Sequence, residues 1–133
     1  MRVSGIAALI FVALTLVGCA TGPPRPAQSE FDDIPVPKGL SYVPDESIVI
    51  ESPAVKAARL VYRGRVQPDS LAVAMRTTLE ANGWRTVSST AGAGQVTTQV
   101  FEKGGNSLQV QIYERLIYTY VEMTSSRALQ APR

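Results

Sequence analysis

Between residues 38 and 125 hydrophobic and polar positions recur with a period of two that becomes helical once and then returns. Ser47 to Glu51 (SIVIE) is a short β-rich run, broken by Pro53. Lys56 to Arg65 follows with period two. Ala58, Leu60 and Tyr62 point one way, and Arg59, Val61, Arg63 and Arg65 point the other. The spacing then becomes helical. Pro68 suits a first helical position, with Asp69 and Ser70 in the first turn, where negative charge is favoured. Leu71, Met75 and Leu79 recur at i, i+4 and i+8 beside Ala74 and Thr78, giving one apolar stripe. Gly83 predicts a left-handed cap, and a Schellman ending would fold Trp84, the sole tryptophan, back onto Leu79.

Four strand-like runs come after the helix: Trp84 to Ser89, Val96 to Lys103, Ser107 to Tyr113, and Ile117 to Thr124. Gly104-Gly105-Asn106 is a strong hairpin signal between the second and third. In the third, Leu108, Val110 and Ile112 alternate with Gln109, Gln111 and Tyr113. In the fourth, Ile117, Thr119, Val121 and Met123 alternate with Tyr118, Tyr120 and Glu122. The link Glu114-Arg115-Leu116 contains no Gly, Pro or Asn and predicts no particular turn type. The order β-β-α-β-β-β-β, rich in hairpins, predicts an α+β two-layer fold: a mainly antiparallel sheet of about five to six strands with one helix on one face. The helix-side face takes Leu60, Tyr62, Leu108, Val110, Ile112, Val121 and Met123. The domain is expected over residues 38–125, with residues 126–133 a polar, disordered tail.

The N-terminus has another character. One positive charge, Arg2, precedes an apolar run from Ile6 to Val17 interrupted only by Thr15. Twelve helical residues span roughly 18 Å, short of a hydrocarbon core of about 30 Å, so the run reads as the hydrophobic region of a signal peptide over residues 1–18. It ends in Leu16-Val17-Gly18-Cys19, which resembles the lipobox of bacterial lipoproteins. The resemblance implies cleavage between Gly18 and Cys19, a thioether-linked diacylglycerol on Cys19, and an N-acyl chain such as palmitate. Two or three acyl chains hold a protein stably at a membrane, at about 0.8 kcal/mol per buried CH₂. Asp directly after the lipidated Cys favours inner-membrane retention in enterobacterial lipoproteins. Ala20 stands there instead, which implies the outer membrane, facing the periplasm, where the source has two membranes. Residues 19–37 form a lipidated N-terminus and tether in which Pro23, Pro24 and Pro26 favour an extended polyproline conformation. The mature region further resembles small uncharacterised envelope lipoproteins of Gram-negative bacteria. It shares an opening of the Ile34-Pro35-Val36-Pro37 type, a strand ending Tyr62-Arg63-Gly64-Arg65, a helix ending in Gly83-Trp84, and a final hairpin. That likeness supports a fold and brings no activity with it.

Composition narrows the chemistry. The chain of 133 residues has no histidine and one cysteine, which excludes His-based triads, His-containing zinc sites and intrachain disulfides. Lys plus Arg number 13 against 11 acidic residues, a near balance without the broad positive field of a nucleic-acid binder. The Gly-rich stretches lie between strands, not before a helix, and match no phosphate-binding fingerprint. No cofactor is expected beyond the lipid on Cys19. A non-enzymatic binding or assembly module is the leading expectation, with an envelope protein, peptidoglycan or lipid as partner. A carboxylate-based hydrolase and a structural adapter subunit are the alternatives. The candidate binding face comprises Arg59, Arg63, Arg65, Tyr118 and Tyr120, on the sheet surface away from the helix. Its bland counterpart is a solvated face where Arg pairs across strands with Glu102, Glu114 or Glu122.

Overall fold

The computed structural model of the protein describes Phe31 and residues 33–128. The leader, Gly18, Cys19, Ala20, most of the tether and the last five residues lie outside the described residues. The elements are β1 (Ser41–Tyr42), a 3-10 turn (Pro44–Glu46), β2 (Ile48–Glu51), β3 (Val55–Gly64), α1 (Pro68–Ala81), β4 (Arg85–Ala91), β5 (Thr97–Lys103), β6 (Asn106–Arg115) and β7 (Tyr118–Ala128). This is the α+β two-layer fold expected, with seven strands instead of five or six. The additional strand is the two-residue β1, too short to carry an alternation. It and β2 lie end to end along one edge of β3.

The strand order is β1-β3-β7-β6-β5-β4, with every neighbouring pair antiparallel. Hairpins join β4 through β7 in sequence. The one connection that must cross the sheet runs from β3 to β4, which stand four strand positions apart, about 19 Å. The 14-residue α1, about 21 Å long, makes that crossing over the inner face. Gln67 caps its start, the side-chain Oε1 accepting from Ser70 N–H at 3.0 Å, with Pro68 as first helical residue. It ends as predicted. Gly83 has φ +84°, its N–H donates to Glu80 O, and Trp84 N–H donates to Leu79 O, the paired bonds of a Schellman motif.

Leu71, Met75 and Leu79 from the helix meet Leu60, Tyr62, Phe101, Leu108, Val110, Ile112, Val121 and Met123 from the sheet in one core, which also buries Trp84. The fold extends beyond residues 38–125 at both ends. Phe31 and Ile34 are buried in the core, and Val36 and Leu40 pack against it, so part of the expected tether belongs to the domain. This segment rises beside the helix from the Arg127 end of β7 to the Gly64 end of β3. The Arg127 guanidinium lies 4.8 Å over the Phe31 ring and bonds Asp33. At the other end a Cβ on Gly64 would stand 2.2 Å from Gly39 O, so only glycine admits the crossing chain. The expected tail from residue 126 is likewise corrected. β7 continues to Ala128, because β3 pairs with it through Val55↔Ala128, and Ser125 is buried with its hydroxyl donating to Ser107 O at 3.1 Å.

Candidate binding face

The helix covers one face of the sheet. The face opposite gathers Arg59 and Arg63 from β3, Tyr118, Tyr120 and Glu122 from β7, and Tyr113 and Arg115 from β6. Registry places Arg63 beside Tyr120, Tyr120 beside Tyr113, and Val61 beside Glu122. Arg59, Arg63, Arg65, Tyr118 and Tyr120 therefore share one surface, at the β3–β7 junction near the centre of the sheet.

The contacts divide the residues into two groups. Arg59 is spent on structure: its guanidinium binds Glu122 through two hydrogen bonds of 2.6 and 2.9 Å, the cross-strand pairing weighed above. Tyr120 is also structural. Its ring stacks nearly parallel on Tyr113, with centroids 5.6 Å apart, and lies under the Arg115 guanidinium at 4.3 Å. Arg115 donates to Tyr120 Oη at 2.9 Å and to Glu46 Oε1 at 2.8 Å, clamping the 3-10 turn onto the sheet. Tyr120 is left only 4 % exposed, and Val61, whose backbone bonds Val43 and Ser47 on either side of the 3-10 turn, 0 % exposed.

Arg63 and Arg65 form the second group. Their guanidinium carbons sit 5.0 and 5.6 Å from the centroid of the Tyr118 ring. Among the described residues neither has a carboxylate within 4 Å. Two cations thus share one aromatic ring with no acidic partner, and both side chains face solvent.

The ionisation of the tyrosines follows these contacts. Hydrogen bonding from Arg63 and Arg115 pulls the Tyr120 phenol below its ordinary value, since both stabilise the phenolate. Tyr113 is pushed up, first by burial and then by the negative field of Glu122 and Glu46. Arg115 is held more firmly protonated by its bonds to Tyr120 and Glu46.

Sequence reasoning placed Arg115 in a turn and passed over Tyr113 and Glu46. The signal for Arg115 was there: the next alternating position past Gln111 and Tyr113 puts it on the same face. Glu46 carried no such signal, because it arrives from a turn at the edge of the sheet. Elsewhere, a small apolar cavity of about 220 Å³ lies along the edge between Ile48, Ile50, Ala57 and Thr124. A larger one, about 620 Å³, opens where the β4–β5 turn, the start of β5 and the end of β6 meet the helix start, and both Asp69 and Glu114 line it. Among the described residues no group of three metal-ligating side chains stands together, and no helix is long and apolar enough to cross a membrane.

No protein-family model matches the chain, and no curated protein matches it.

Proposed function

We propose that the protein is a lipid-anchored module of the bacterial cell envelope, held through Cys19 at the periplasmic side of a membrane, the outer one where two exist. In this reading it binds another envelope component without chemistry of its own, through the sheet face that carries Arg63, Arg65 and Tyr118. The observation that carries the binding part is this pair: Arg63 and Arg65 flank Tyr118 with no carboxylate partner among the described residues, while their neighbours Arg59 and Arg115 each have one. Arg and Tyr are enriched where proteins bind partners, and a desolvated anion would reward both guanidinium groups at once.

The anchor part rests on Leu16-Val17-Gly18-Cys19 and is tested in cells. Cys19→Ser is expected to accumulate as an uncleaved precursor that takes up no labelled palmitate. Normal cleavage and membrane retention of that variant would refute the anchor.

One observation favours a second reading, a carboxylate hydrolase: Asp69 and Glu114 line the same cavity. Under the binding reading, Asp69→Asn combined with Glu114→Gln leaves partner capture unchanged. Loss of an envelope-hydrolysing activity in that double variant would favour the enzyme.

A further inference from the structure

The hairpin between β6 and β7 turns through two residues, Leu116 and Ile117, since Arg115 still pairs with Tyr118. Leu116 has φ +58°, the left-handed region where Gly or Asn is the ordinary choice. It is also 96 % exposed, and Ile117 is 65 % exposed. Backbone and water both disfavour leucine here, and no packing in the fold compensates it. An aliphatic pair at this tip gains only where an apolar medium replaces water.

The surroundings say which medium. Arg63, Arg65 and Tyr118 stand at the same end of the sheet, and among the described residues the two arginines have no carboxylate within 4 Å. Glu46 neutralises Arg115, and Glu114, which lines a cavity with Arg65 and Ile117, offsets part of the remaining charge, so the tip keeps a positive balance through Arg63 and Arg65. Aliphatic residues at the apex with a tyrosine and cations behind them follow the order in which a bilayer presents acyl chains and then the interface with its phosphates.

We infer that the β6–β7 tip is a second membrane contact. Leu116 and Ile117 enter the boundary between acyl chains and headgroups, and Arg63 and Arg65 take the phosphates of anionic lipid. The role in the cell rests on the lipid-anchor reading above. The length of chain outside the structure fits it. The chain enters the fold at Phe31, under Arg127, nine residues along β7 from Tyr118, or about 30 Å. Twelve residues connect Cys19 to Phe31, and such a segment extends to about 37 Å as polyproline helix, so anchor and tip can reach one surface.

The lone cysteine gives a direct test. The chain from Cys19 onward, which contains every described residue, is coupled through that thiol to maleimide-headgroup lipid in vesicles carrying brominated acyl chains. Chemical coupling makes the result independent of whether cells acylate Cys19, so failure of the tip and failure of the anchor reading are told apart. A reporter is placed by Ile117→Trp, with Val73→Trp on the exposed helix surface as control. Trp84, buried in the core, contributes a constant background to both. In vesicles with about one third phosphatidylglycerol, bromine quenching of the tip reporter should exceed the control at least twofold. It should fall to about half in phosphatidylcholine alone or with Arg63→Gln and Arg65→Gln combined. Tip quenching equal to the control would overturn the inference, as would quenching indifferent to the two arginines. Capture of an envelope protein by a photocrosslinker at Ile117, with no lipid quenching, would assign the tip to a protein partner and also overturn it.

Discussion

The two faces of this sheet are stabilised by different physics. The inner face is an ordinary core, in which aliphatic and aromatic side chains from four strands and a helix exclude water together. The outer face has no second layer, yet Val61 and Tyr120 are as buried as core residues. Tyr120 lies under Arg115, and Val61 is bonded by the residues flanking the 3-10 turn, which Arg115 ties to the sheet through Glu46. Such a surface is ordered without being apolar. It can hold a shape for a partner, and where the answering carboxylate is missing, at Arg63 and Arg65, it has capacity left over.

The largest effect expected belongs to the inner face. Phe101, fully buried between helix and sheet, should cost roughly 3–5 kcal/mol on Phe101→Ala, read as the shift in a urea unfolding midpoint. A loss below 1 kcal/mol would mean that the helix does not seal this face. On the outer face the strongest single link, Arg59 with Glu122, should show a coupling of about 0.5–1 kcal/mol in a double-mutant cycle, because Arg59 is largely solvated. A coupling of several kcal/mol would make the two faces equals and erase the contrast.

The tip gives a change of the opposite sign. Leu116→Gly should leave stability unchanged or raise it by up to about 1 kcal/mol, since glycine relaxes the left-handed φ. Destabilisation would show that Leu116 serves the fold. The smallest effect is spectroscopic. Titrated by ultraviolet absorbance, Tyr120 should ionise below, and Tyr113 above, the ordinary tyrosine value of 10.0. The signs follow from linkage. Tyr120 adds stability above that ordinary value, a contribution lost as pH falls through its own lowered one. Tyr113 adds stability below the ordinary value, lost as pH rises through its raised one. Arg115→Gln should move Tyr120 back up. An unmoved Tyr120 would mean that Arg115 does not hold the phenolate.

How much of this was legible in the residues depended on whether burial followed a period. Leu108, Val110 and Ile112 alternate, and Leu71, Met75 and Leu79 lie along one helical stripe, so the inner face could be read directly. The Gly83-Trp84 ending was legible as well, because a positive φ and a following apolar residue have a local signature. Phe31 and Ile34 were not, being isolated apolar residues among prolines and acids whose burial depends on a strand almost a hundred residues later. The last turns of β7 read as polar for a related reason: Ser125 and Ser126 are held by ladder pairing with β3 and β6, which leaves no hydrophobic mark. On the outer face, the alternation put Arg59, Arg63, Tyr118 and Tyr120 on the helix-free side of their strands, and only the strand order, which leaves no local mark, brings them together. It could not say which arginines were already paired, since Glu46 reaches Arg115 from outside the strands.

The difference between paired and unpaired arginines is what the binding proposal stands on, and in-cell photocrosslinking tests it most directly. A photoreactive residue is placed at Ser41, which pairs with Arg63 on the outer face, and, in a second strain, at Arg76 on the helix, both exposed. Adducts of protein or lipid are then compared by gel and mass spectrometry. A discrete adduct from Ser41, absent from Arg76, is the result expected. Equal labelling at both positions, or none at Ser41, would contradict a binding role for this face.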